Sequence, residues 1–169
     1  NNIKAVYVDE QKSLVYIGTH AGGLTVLHRN SGQMESFNQL NSQLVNENVY
    51  AILPDKEGSI LLGTLSALVS FNPEKRSFTT IDKEKDGTPF TSQRITILFR
   101  DSRKRLWIGG EEGISVFQQE GIEIEKAPIL PESSVTKMFT NCIYEAANGI
   151  IWVGTREGFY CFNEKEKKI

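Results

Sequence analysis

Ile151-Trp152-Val153-Gly154-Thr155 is one of four related stretches in this chain, and its recurrence decides the fold. The others are Tyr16-Ile17-Gly18-Thr19, Leu61-Leu62-Gly63-Thr64 and Leu106-Trp107-Ile108-Gly109-Gly110. Their shared glycines stand at 18, 63, 109 and 154, at intervals of 45, 46 and 45 residues. Working outward, each stretch is preceded by an apolar run (Ala5 to Val8, Val49 to Leu53, Ile95 to Phe99, Cys142 to Tyr144) and then a polar turn. The turns are Asp9-Glu10-Gln11-Lys12, Asp55-Lys56-Glu57-Gly58, Asp101-Ser102-Arg103-Lys104 and Ala146-Ala147-Asn148-Gly149. Asp, Asn and Gly favour chain reversal between strands because they bond their own backbone or accept positive φ. After the repeat glycine a small-residue turn (Ala21-Gly22-Gly23, Ser66-Ala67, Glu112-Gly113, Glu157-Gly158) leads into a third apolar run ending near Leu27, Phe71, Phe117 and Phe162.

Three units continue into a fourth strand, over Met34 to Phe37, Phe78 to Ile81 and Ile122 to Glu125, with the alternation of a strand wet on one face. The fourth unit reaches Lys167-Lys168-Ile169 before such a strand is expected. Helical periodicity is absent, and β-branched and aromatic residues gather in the short runs. Four short antiparallel strands repeated every 45 residues or so is the pattern of β-propeller blades. The expected fold is therefore all-β, a β-propeller segment over residues 1–169. Its blades should fall at about 1–46, 47–92, 93–137 and 138–169, the last without its outer strand.

Composition sets the outer limits. The 169 residues carry 19 Lys plus Arg against 21 Asp plus Glu, a formal charge of −2, with 39% apolar and 24% charged residues. That balance belongs to a folded chain and excludes disordered and collagen-like classes. It lacks the basic excess of a nucleic-acid-binding surface, so no nucleic-acid partner is expected. No apolar run approaches 18 residues, so no direct membrane contact is expected. The missing initiator Met suggests a piece of a longer chain. Two cysteines, Cys142 and Cys161, fall in the first and third strands of unit four, about 9 to 10 Å apart across a strand, beyond disulfide reach. They read as buried thiols.

The pattern of an apolar strand, an Asp-x-x-Gly turn, an Ile/Leu-Trp-Ile-Gly-Thr strand and a Gly-Leu turn resembles the two-component regulator propeller repeat. It is clearest from Asn148 through Ile151-Trp152-Val153-Gly154-Thr155-Arg156-Glu157-Gly158 to Asn163. Departures are local: Tyr16 and Leu61 replace the Trp, Gly110 the Thr and Ala67 the turn Gly. The resemblance implies a seven-bladed propeller in the periplasmic sensor region of a Bacteroidetes hybrid histidine kinase. Such a sensor detects oligosaccharides and controls polysaccharide-utilisation genes across one membrane helix. No phosphoacceptor-helix pattern or nucleotide-binding glycine motif appears here, so this segment is expected to be non-catalytic.

Candidate ligand-binding residues lie on loops at the end of the propeller where consecutive blades connect, the end at which the resemblance places ligands. They are His20, Glu111, Glu112, Arg156 and Glu157, with Arg94 at the start of a first strand; the alternative is that these are solvated turn residues. Asn2, Asn48 and Asn141 occupy places like that of Arg94, where an Asn closes a turn on its own backbone. Gly18, Gly63, Gly109, Gly154, Trp107 and Trp152 are structural repeat positions, the tryptophans packing between blades. His28 reads as a solvated strand end, and the mixed-sign runs 82–87 and 164–168 as wet turns or a frayed end. No metal-ligand cluster, triad order or paired-carboxylate spacing is found, so no metal, cofactor or catalytic residue is expected. Expected partners are an oligosaccharide, and further blades or a second copy of the chain. Rival readings are a piece of a propeller lyase or sialidase-like enzyme, and a protein-binding scaffold.

Overall fold

The computed structural model describes residues 2–88, 94–111, 113–120, 122–126 and 138–163, with the side chains of Glu57 and Lys126 aside. Within them the chain forms four antiparallel sheets in sequence order. Sheet 1 holds β1 (Asn2–Asp9), β2 (Leu14–His20), β3 (Leu24–His28) and β4 (Met34–Phe37). Sheet 2 holds β5 (Val49–Pro54), β6 (Ile60–Thr64), β7 (Leu68–Asn72) and β8 (Ser77–Ile81). Sheet 3 holds β9 (Ile95–Arg100), β10 (Leu106–Gly110), β11 (Gly113–Glu120) and β12 (Glu123–Lys126). Sheet 4 holds β13 (Thr140–Glu145), β14 (Ile151–Thr155) and β15 (Phe159–Phe162). Every strand pairs with its sequence neighbour, so each sheet is a meander. The all-β propeller class expected from the repeat is thus present. The outer strand of unit four falls on 164–169, outside the described residues.

The first strands stand side by side, β1 along β5, β5 along β9 and β9 along β13. A buried layer lies between each pair of sheets. Tyr16, Val26 and Phe37 of sheet 1 meet Leu62, Val69 and Phe71 of sheet 2. Leu61 and Leu68 meet Ile95 and Ile108 of sheet 3. Trp107, Ile114 and Val116 meet Ile151, Val153 and Phe162 of sheet 4. Each such large side chain removed from water contributes roughly 1.5–3 kcal/mol.

The recurring glycine explains why the sheets approach closely. A Cβ on Gly18 would lie 2.8 Å from both Cγ1 and the carbonyl oxygen of Val49; one on Gly63 would lie 2.6 Å from Ile95 Cγ2 and 2.9 Å from its carbonyl. On Gly109 it would lie 2.8 Å from Thr140 Cγ2. Val49, Ile95 and Thr140 are fully buried, and each is the opening residue, or next to it, of the following sheet's first strand. The glycine is a notch into which the next sheet's first strand plugs. Among the described residues the series has two free ends. Ile3, which corresponds to Val49, is 58% exposed, and a Cβ on Gly154 would meet only Cys142 Sγ.

The same ends explain a correction. Cys142 is exposed and Cys161 partly so, both as free thiols, where buried thiols were expected. They share the outward face of sheet 4 with Tyr144, Trp152 and Phe159, all exposed, and no described residue covers that face. Trp107 is 0% exposed and its counterpart Trp152 is 38% exposed, because a sheet packs over the first and not the second. On sheet 1, Val6, Val8 and Met34 lie open in the same way.

Polar groups at the opposite end of the sheets, where the first hairpins turn, are well satisfied. Asp101 accepts from the Arg105 Nε at 2.6 Å, the Trp107 indole at 2.8 Å and the backbone of Arg103 and Arg105 at 3.0 and 2.9 Å. Asp55 accepts from Arg100 at 2.9 Å and Gln119 at 2.8 Å, joining sheets 2 and 3. Tyr16 is the exception. Its hydroxyl is buried with no hydrogen-bond partner among the described residues, and burial, then the charges of Asp9 and Tyr7, push it up to about 12.

Two outcomes follow for stability. Gly63→Ala should cost about 1–3 kcal/mol, since backbone as well as side chain must shift, whereas Gly154→Ala should cost well under that because only a movable Sγ is in the way. Thermal melts of both check this, and equal losses would contradict the notch. Tyr16→Phe removes a desolvated, unpaired hydroxyl without opening a cavity, so stability should hold or rise at neutral pH. An unfolded Tyr ionises near 10, so a raised folded value gives stability present below about pH 10 and lost as pH climbs through about 12. Denaturant midpoints across that window should fall less steeply in Tyr16→Phe; matching slopes would refute the assignment.

Candidate functional site

Each first strand carries one residue too many for its partner. In β1–β2, Ile3 pairs with Thr19 and Ala5 with Gly18, leaving Lys4 unpaired. In β5–β6, Val49 pairs with Thr64 and Ala51 with Gly63, leaving Tyr50. In β9–β10, Ile95 pairs with Gly110 and Ile97 with Gly109, leaving Thr96. In β13–β14, Thr140 pairs with Thr155 and Cys142 with Gly154, leaving Asn141. Such a β-bulge re-aims a side chain out of the alternation of its strand. All four bulged residues line a single open cavity of about 610 Å³, on the side where the four first strands run together. Asn2, His20, Arg94, Ile97 and Phe139 complete its wall.

The wall is aromatic and basic. Tyr50 Oη lies 3.3 Å from His20 Nδ1, and the two rings sit 6.3 Å apart. The Arg94 guanidinium stands over the Tyr50 ring at 5.8 Å, and its Nε is 3.8 Å from a Glu111 carboxylate oxygen. The Thr96 hydroxyl donates to the Thr140 carbonyl at 3.0 Å, which ties sheet 3 to sheet 4 at the cavity floor. The Arg156 guanidinium covers the Phe139 ring at 4.1 Å. Such cation–π contacts hold a long flexible side chain over an aromatic face.

His20 and Arg94 therefore line the cavity, and Glu111 and Arg156 contact wall residues without lining it themselves. Glu157 is an exposed turn residue whose backbone N–H donates to Thr155, and it is not in the wall. Glu112 lies outside the described residues. Asn48 does not close a turn on its own backbone; its Oδ1 accepts the Ala21 N–H of the preceding sheet at 3.1 Å, locking two sheets together at the cavity rim. Asn2 and Asn141 are wall residues. His28 is not merely solvated, since its Nε2 lies 3.3 Å from Glu35. Sequence reasoning missed Lys4, Tyr50, Thr96 and Phe139. The available signal was positional: the four bulged residues stand thirteen or fourteen residues before each repeat glycine.

Residues 89–112 and 132–157 match the Two component regulator propeller family. A curated relative, "Histidine kinase P4" from Formosa agariphila, is 29% identical over 93 residues, covering 54% of this chain and 7% of that protein. Among solved structures, the extracellular domain of a protein assigned as a hybrid two component system from B. thetaiotaomicron superposes with a TM-score of 0.76 at 20% identity, covering 99% of this chain and 23% of that one. Virginiamycin B lyase from Staphylococcus aureus superposes with a TM-score of 0.62 at 12% identity, covering 95% of this chain and 55% of that one. The chain thus spans a small part of the length of the kinase relative and about a quarter of that extracellular domain. Two of its stretches match the two-component regulator propeller family, and just over half of it aligns with one histidine kinase; at these identities the solved structures speak for the fold alone.

Proposed function

We propose that the chain is a non-catalytic, ligand-binding segment of the periplasmic sensor propeller of a hybrid two-component histidine kinase, and that the ligand is an oligosaccharide. The observation that carries this reading is the contrast between notches and bulges. The notch glycines are the same in every sheet, whereas the bulged residues in the shared cavity are Lys, Tyr, Thr and Asn. A repeat whose packing positions agree and whose cavity positions differ is a scaffold presenting one composite site. Aromatic faces of Tyr50 and Phe139 beside the amides of Asn2 and Asn141 suit the C–H edges and hydroxyls of a sugar. The described wall holds no carboxylate, and so offers no acid–base pair for glycoside cleavage.

Signalling needs a ligand that distinguishes two states of the propeller. The free plug at Ile3 and the free notch at Gly154 supply the surfaces for that coupling, on this reading, by packing against further blades or, in their absence, a second copy of the chain. Control of polysaccharide-utilisation genes belongs to the same proposal. Binding only to the folded state raises the melting midpoint. A matching oligosaccharide at a hundred times its Kd should add about 2.7 kcal/mol, or roughly 5–10 °C for a chain of this size, and should be recovered uncleaved. No shift with any member of a broad oligosaccharide panel would contradict the proposal; cleavage would favour a propeller enzyme.

A further inference from the structure

We infer that the ligand is an anionic saccharide, with a carboxylate or sulfate group held between Arg94 and Lys4. The inference rests on the saccharide-binding reading and names the charge the cavity selects. Lys4 and Arg94 are the two charged side chains in the described wall, and both are basic. Lys4 has no ion-pair partner among the described residues. Arg94 has Glu111 only at 3.8 Å and only through Nε, an atom that is buried and makes no hydrogen bond. Glu111 is not among the residues lining the cavity, and at 3.8 Å its carboxylate offsets only part of the Arg94 charge.

Sheet 3 departs from the repeat in a way that serves this one arginine. In the other sheets a Thr follows the notch glycine and latches the turn: Thr19 Oγ1 donates to Gly23 at 3.2 Å, Thr64 to Ala67 at 2.8 Å and Thr155 to Gly158 at 3.0 Å. In sheet 3 the place belongs to Gly110, where a Cβ would lie 2.1 Å from the Arg94 carbonyl oxygen. Arg94 itself has φ 45°, in the left-handed region that non-glycine residues seldom occupy. Its backbone N–H donates to Leu65 of the preceding sheet at 2.8 Å. The latch is absent, and the carbonyl of a strained Arg94 takes its space while the guanidinium reaches over Tyr50. Strain of this kind concentrates where a side chain must be aimed, and the aim here is into the cavity, beside aromatic and amide groups that fit a sugar.

The test is calorimetric titration of the chain with trigalacturonate, a sulfated galactotriose and neutral galactotriose. A charge-assisted contact of this type is worth roughly a tenfold to hundredfold in affinity. At least one charged probe should bind about tenfold or more tighter than the neutral one, and which of the two is tighter tells carboxylate from sulfate. Arg94→Gln and Lys4→Gln should each erase most of that margin, Arg94→Lys should restore part of it, and Glu111→Gln should leave or widen it. Lys4 is exposed, so its variant keeps the test valid even if Arg94→Gln unfolds. Equal binding of neutral and charged probes, or a margin that survives Lys4→Gln, would overturn the anionic assignment while the saccharide reading stands. Failure of both charged probes, where a neutral member of the broad oligosaccharide panel does bind, would overturn the anionic assignment alone; failure of the whole panel, charged and neutral, would overturn the saccharide reading as well.

Discussion

The close approach of one sheet to the next at a side-chain-free point is the constraint on which the rest of this structure depends. Gly18, Gly63 and Gly109 each receive the start of the following first strand, and the distances leave no room for a methyl group. Because the notch recurs at nearly constant spacing, each sheet is placed on its predecessor in the same way. Four equivalent bulges then have no choice but to face a common space. Interior packing at near-crystalline density makes such placement discrete, which is why one absent Cβ per repeat can fix the position of a cavity built from four strands.

The two ends of the series show the same rule by default. Among the described residues Ile3 is a plug with no notch and Gly154 a notch with no plug, and around them the apolar groups that are buried elsewhere lie open. Trp107 and Trp152 occupy one repeat position, and a sheet covers the first and not the second. The exposed thiols of Cys142 and Cys161 have the same origin.

The fold was legible because the residues that make it repeat. Glycine at a notch and a large apolar residue two positions before it recur in every unit and pack against the next sheet in the first three, so self-comparison finds them. The cavity was not legible for the opposite reason. Lys4, Tyr50, Thr96 and Asn141 share a position and no chemistry, and a bulge leaves no mark on apolar–polar alternation that distinguishes it from an ordinary strand start. His20 and Arg94 were reached through their place at the strand ends. Glu111 and Arg156 were also read as ligand-binding residues, and in the structure they contact the wall residues Arg94 and Phe139 without lining the cavity. The reading of Asn48 as a local turn closer failed because its acceptor serves Ala21, 27 residues earlier, and no local pattern announces a bond across sheets.

If one notch spacing brings four bulges to one site, a bound ligand must be felt in all four sheets together. Amide chemical-shift mapping by NMR during titration with trigalacturonate measures this directly. The expected result is a single set of saturable shifts centred on residues 4, 20, 50, 94, 96 and 141, contributed by all four first strands and the end of β2. Shifts confined to one sheet, or gathered at the opposite end around the hairpins at 9–12, 55–58 and 101–104, would contradict it.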